Sequence, residues 1–133
     1  MSPVRPATGH TAAREWEMFI PMAAEWINLN QRLHWAPKAK RTRSWRMAGH
    51  IYARQANLPR GLGRVQITAH VMKSTARQYD AHNLIPTAKA VIDGLVDYGL
   101  IEDDTNQFLT GPDMRQGGKG IPGIRLEIKE VPA

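Results

Sequence analysis

Asp80, His82, Lys89, Asp93, Asp103 and Asp104 all fall within one stretch, YDAHNLIPTAKAVIDGLVDYGLIEDD, residues 79–104. Acids, an imidazole and an amine at such spacing are the raw material of a metal site that cuts phosphodiesters. Carboxylates gathered together repel one another. A hard divalent cation such as Mg²⁺ or Mn²⁺ relieves that repulsion and takes oxygen ligands. It can activate water and neutralise charge on the reacting phosphate, and a lysine alongside stabilises the same charge.

The spacing says which groups can act together. Asp80 and His82 are two apart and share a face on extended backbone. Lys89 and Asp93 are four apart and share a face on a helix. Asp103 and Asp104 are neighbours and point apart, so one of them reaches a common site. A helix folding back on the strand before it brings the Asp80 end toward the Asp104 end. Each residue alone has a plainer reading. Asp80 caps a helix, His82 is structural, Lys89 and Asp93 are an ordinary ion pair, and Asp103–Asp104 is a solvated turn. The set is more specific than its members.

Several elements must position these groups. Glu15 to Pro21 alternates, with Trp16, Met18 and Ile20 on one face, and reads as a strand. Glu25 to Trp35 reads as a loop. Pro37 to Ala56 reads as a helix with Trp45, Ala48, Tyr52 and Ala56 as its buried stripe, and Trp35 and Trp45 are read as core residues. Arg64 to Lys73 alternates as a half-buried strand, Val65, Ile67, Ala69 and Val71 facing inward. Asn83 to Tyr98 is the strongest helix, with Pro86 in its first turn and Gly99 at its stop. Leu84, Ala88, Val91, Ile92 and Leu95 form its apolar face. The glycines and prolines between Gly111 and Gly123 read as a flexible connection, followed by a final strand carrying Ile124, Leu126 and Ile128. The expected fold class is α/β (α+β): a small mixed sheet packed on two main helices. Residues 1–13 form a loose tail and 14–133 a single domain.

The chain has 133 residues, 42% of them hydrophobic, and a net charge of +6. That supports one modest core and favours an anionic partner. With no cysteine, disulfides and thiolate metal sites are excluded. No apolar run is long enough to span a membrane, and the chain is read as soluble and intracellular, in the cytoplasm. Lys38, Lys40, Arg41, Arg43 and Arg46 crowd the start of a helix, where cations oppose the macrodipole. A solvated face is the plain reading of that run; a phosphate backbone is the functional one.

These residues resemble the RusA family of Holliday-junction resolvases. Asp80-Ala-His82-Asn83-Leu84, Lys89-Ala-Val-Ile-Asp93-Gly-Leu95 and Asp103-Asp104 are similar to the family pattern Asp-x-Asp-Asn, Lys-x-x-x-Asp-x-Leu and a later Asp-Asp. LNQRLHW, residues 29–35, is similar to the family's N-terminal Leu-Asn-Arg region. The resemblance implies a small α/β homodimer that binds four-way DNA junctions and nicks two strands symmetrically with Mg²⁺ or Mn²⁺. By position, Asp80 and Asp104 match its metal-binding aspartates and Asp103 the first acid of the closing pair. Lys89 matches its functional lysine, and Asn83 and Asp93 are supporting positions. His82 stands where the family has a second aspartate. An imidazole there is a metal ligand better suited to Mn²⁺, or a general base. Three extra residues between Asn83 and Lys89 shift the lysine along its helix. The expected DNA-binding residues are Asn30, Arg32, His34, Lys38, Lys40, Arg41, Arg43 and Arg46. The expected function is resolution of Holliday junctions in recombination and repair. The alternatives are a nuclease for flaps or splayed arms, and a non-catalytic junction-binding protein.

Overall fold

The computed structural model describes residues 14–32 and 34–132; the tail expected over 1–13 lies outside them. Strand β1 (Glu15–Pro21) is followed by helix α1 (Trp35–Gln55), strand β2 (Val65–Lys73), a 3₁₀ turn (Ala81–Leu84), helix α2 (Ile85–Tyr98), and strands β3 (Leu109–Lys119) and β4 (Gly123–Glu130). The sheet order is β1-β4-β2-β3. β4 pairs antiparallel with β1 and β2, while β3 runs parallel to β2. The expected mixed sheet and two helices are therefore present.

Alternation decides the two faces of the sheet. Met18 and Ile20, Val65 to Ala69, and Ile124 to Ile128 turn their apolar residues into one core with Trp45, Ala53, Val91, Ile92 and Leu95 from the helices. The opposite face carries charge: Arg125 meets Glu17 at 3.2 Å, and His70 meets Glu127.

The two helices touch at glycines. A Cβ at Gly94 would overlap the Arg46 carbonyl oxygen, and one at Gly49 would overlap that of Val91. Only glycine lets the backbones come this close. α1 starts at Trp35, slightly before the expected Pro37. Its buried residues are Trp45, Ala48, Gly49 and Ala53, whereas Ala56 lies past the last turn and is exposed. The α2 expectation holds from Ile85; its first residues instead form the 3₁₀ turn. Gly99 ends α2 in the left-handed conformation, φ 102°, a geometry that favours glycine.

The connection expected over Gly111–Gly123 is largely strand. β3 is an edge strand, so its ladder is needed on one side only and Pro112 is tolerated. Its register against β2 shifts twice, between Gln66 and Thr68 and between Val71 and Met72. Gly111 sits at the first shift with φ 106°, where a Cβ would strike the Ile67 carbonyl. Glycines that read as flexibility in sequence are here the residues that permit bulges.

Candidate functional site

The 3₁₀ turn at the head of α2 carries the first acid. Asp80 caps it, its Oδ1 accepting the His82 N–H at 3.0 Å. Both side chains are exposed. The Asn83 N–H donates to the Asp80 carbonyl at 3.1 Å. Asp103 turns its carboxylate back on its own loop, accepting the Asp104 N–H at 2.7 Å.

Asp93 lies within electrostatic reach of Asp104. Asp93 is half-buried on α2. Its carboxyl is pushed above the usual aspartate range, first by burial and then by the negative charge of Asp104; Arg46 and Lys89 pull the other way. Asp97 adds a smaller push in the same direction as Asp104, so Asp93 senses two acids and two cations. Asp93 entered the sequence reading only as a supporting residue, because its like-charge neighbour lies on a separate loop.

Asp80 and His82 lie at the other end of the helix. A rise of about 1.5 Å per residue places Asp93 roughly 12 Å further along α2 than Ile85. Among the described residues, no group of three or more histidines and acids is gathered closely enough to hold a metal ion. Asp93 and Asp104, whose charges interact, are two acids and not such a group. Mg²⁺ keeps several waters and is commonly held by one or two carboxylates with substrate phosphates.

A basic loop is fastened to the acid-bearing turn. The Leu29 N–H donates to the Asn83 carbonyl at 2.8 Å. Ile27 and Thr87 exchange two buried hydrogen bonds: Ile27 N–H to Thr87 Oγ1 at 2.8 Å, and Thr87 Oγ1 to the Ile27 carbonyl at 2.9 Å. Trp45 reaches the same loop, its Nε1 donating to the Glu25 carbonyl at 3.1 Å while its ring stacks on Trp26 at 5.3 Å. Arg32, Gln31, Asn28, Lys38 and Pro86 line a cleft of about 150 Å³ here.

The expected DNA-binding residues divide into two groups. Arg46 is committed to Asp97 on α2, through Nε at 2.6 Å and Nη2 at 2.8 Å. That pairing raises the arginine's pKa and lowers the carboxylate's. Arg41 donates to the Trp26 carbonyl at 3.2 Å. The His34 ring caps α1 by accepting the Ala36 N–H at 3.5 Å. The Asn30 N–H is held by Asn28 Oδ1 at 2.8 Å, and its side chain is exposed. Arg32, Lys38, Lys40 and Arg43 are exposed, and none has a carboxylate partner among the described residues.

Trp35 corrects an expectation. The expected place is the core, whereas Trp35 is 74% exposed, with its ring 5.9 Å from that of His34. It occupies the first turn of α1, before the helix meets its neighbours. Trp45, by contrast, is fully buried. No helix is long and apolar enough to cross a membrane, among the described residues. In comparison with known proteins, the chain matches no family model and no curated protein.

Proposed function

We propose that this chain is a divalent-metal-dependent endonuclease of branched DNA, a RusA-type Holliday-junction resolvase acting as a homodimer. The observation that carries this reading is the half-buried Asp93 carboxyl group, raised first by burial and then by the charge of Asp104, with Lys89 four residues away on the same helix. Paired carboxylates beside a lysine, on a chain of net charge +6, suit catalysis on a polyanion.

Asp104 interacts with Asp93 and also belongs to the metal set expected from the sequence, Asp80, His82, Asp103 and Asp104, which the described residues do not gather into one group. Bound Mg²⁺ or Mn²⁺ supplies an activated water and charge neutralisation at the phosphate. Lys89, exposed on the same helix as Asp93, would supply a cation to stabilise charge on that phosphate. Exposed His82 offers an imidazole as general base or metal ligand. Arg32, Lys38, Lys40 and Arg43 hold flanking phosphates, so affinity falls steeply with salt. Trp35 offers a flat face to an unstacked base at the branch. A junction cut symmetrically needs two such sites about a two-fold axis, which a homodimer provides.

The test is incubation of the protein with a labelled four-way junction, with and without Mg²⁺ or Mn²⁺, and mapping of the nicks. Paired symmetric nicks that require metal and vanish in Asp104→Asn support the reading. Faster cutting of flaps or splayed arms than of four-way junctions moves the substrate to those structures. A second reading, a junction-binding module that does not cut, is favoured by the lack of a three-ligand group among the described residues. Binding without metal-dependent nicks by the wild-type chain selects it.

A further inference from the structure

Between β2 and the 3₁₀ turn the chain forms a cup of about 240 Å³ lined by Lys73, Thr75, Arg77, Gln78 and Tyr79. Its wall is fixed at three points. The Tyr79 hydroxyl donates to the Val71 carbonyl at 2.8 Å. Gln116 Nε2 donates to the Tyr79 carbonyl. The Gly120 N–H donates to the Lys73 carbonyl at 2.9 Å. The Tyr79 ring is thereby a rigid surface, and the Lys73 ammonium rests 4.1 Å from its centroid and 5.9 Å from that of Trp26.

What sets this cup apart from the other exposed cations is that one of its two is held against aromatic rings at the wall of a hollow. Aromatic faces hold an ammonium in place while leaving its three N–H donors free. Neither Lys73 nor Arg77 has a carboxylate partner among the described residues. Arg14, Arg46, Arg115 and Arg125 each have one. Two cationic residues and Thr75 therefore line a hollow that has no acid among its lining residues.

The location gives the cup a partner. The cup lies just past the carboxyl end of β2, on the segment that leads into the turn carrying Asp80. Arg77 precedes Asp80 by three residues. At no more than about 3.5 Å per residue, their Cα atoms lie within roughly 10 Å.

We infer that this cup is a phosphate-binding site. Lys73 and Arg77 supply the charge, the Thr75 hydroxyl supplies a further donor, and the ligand is a backbone phosphate of the DNA strand that passes Asp80. The identity of the ligand as DNA rests on the proposed function; the phosphate chemistry of the cup does not.

The test separates the two. Binding of a labelled four-way junction and of a plain duplex is followed by fluorescence anisotropy in EDTA, across a series of NaCl concentrations. The proteins are wild type, Lys73→Gln/Arg77→Gln, Lys73→Arg, and Lys129→Gln on the far face of the sheet. The double variant is expected to weaken both DNAs several-fold and to lower the slope of log K against log salt by about 1, one phosphate contact. Lys73→Arg and Lys129→Gln keep the wild-type slope. A double variant with wild-type slope and melting temperature overturns the site. Calorimetry with inorganic phosphate is the second arm: phosphate binding lost in the double variant while DNA binding is unchanged overturns DNA as the ligand. Failure of the wild type to cut DNA leaves this inference standing, because no readout here depends on cleavage. Failure of the wild type to bind DNA at all sinks the reading on which the ligand rests.

Discussion

The Leu29 amide donates to the Asn83 carbonyl at 2.8 Å, joining the basic loop after β1 to the turn that presents Asp80 and His82. The bond makes one surface of two segments distant in sequence. The phosphate-holding and acid-bearing parts of the proposed site are thus held in fixed relation by backbone. The Ile27–Thr87 exchange beside it reinforces this.

Thr87→Val tests that joint. Thr87 is fully buried, and the valine leaves the Ile27 N–H and carbonyl without their partner. Each orphaned buried group costs about 1–3 kcal/mol. The variant is expected to unfold at lower urea and to bind junction DNA more weakly, the loop being released from α2. Urea melts and junction titrations measure the two effects.

Asp93 predicts a pH dependence. Burial and Asp104 hold its carboxyl above the ordinary value of 3.8. In the window between that value and the raised one, the folded chain retains a proton that the unfolded chain has released. Stability from this group is complete below the ordinary value and is lost as pH rises through the raised one. Asp93→Asn removes that decline, and its stability curve flattens over the same window. In wild type at neutral pH, MgCl₂ neutralises the same repulsion and raises Tm, an effect that Asp93→Asn and Asp104→Asn diminish. Calorimetric melts across pH and Mg²⁺ concentration decide both points; a wild-type Tm indifferent to Mg²⁺ argues against a cation between these acids.

Asp104→Asn is expected to retain junction binding and to lose cleavage by about 100-fold or more, on the scale of losing a principal charge-stabilising group. Normal nicking by this variant in Mg²⁺ or Mn²⁺ removes Asp104 from the site.

Arg46 and Arg43 separate structural from DNA-binding cations. Arg46→Ala breaks the α1–α2 ion pair with Asp97 and costs about 0.5–1 kcal/mol, as expected for a largely exposed pair. Asp97 titrates in the opposite sense to Asp93. Its carboxyl is lowered by the Arg46 hydrogen bond, so its contribution is present above the ordinary aspartate value and fades as pH falls through the lowered one. Arg43→Ala leaves Tm unchanged and lowers the salt slope of DNA binding by about 1. Equal loss of salt slope in both variants contradicts this division.

Gly94→Ala tests the helix crossing. A methyl group there displaces the Arg46 backbone, and overpacking of this kind costs about 1–3 kcal/mol. Trp35→Ala has the opposite profile: no change in Tm, and weaker binding to branched DNA by about 1–3 kcal/mol if a base stacks on the ring. Thermal melts and anisotropy titrations distinguish the two.

The local pattern of this chain set much of its architecture. The alternation at Val65–Val71 and Ile124–Ile128, the apolar stripe from Leu84 to Leu95, and the stop at Gly99 appear in the structure where the spacing puts them, because strand and helix periods are local properties. β3 was illegible for a physical reason: as a bulged edge strand its glycines and Pro112 mimic a loop, and only pairing with β2 fixes them as strand. Trp35 and Trp45 have similar sequence surroundings, and only the packing of α1 on α2 and the loop after β1 buries one and leaves the other in solvent. The sequence by itself determined which residues carry charge and which face of each element is apolar. Tertiary structure alone decided which charges meet. Asp93 feels the charge of Asp104, Arg46 is held by Asp97, and Lys73 lies on Tyr79, because Coulomb and π interactions depend on distances through space that chain order does not encode.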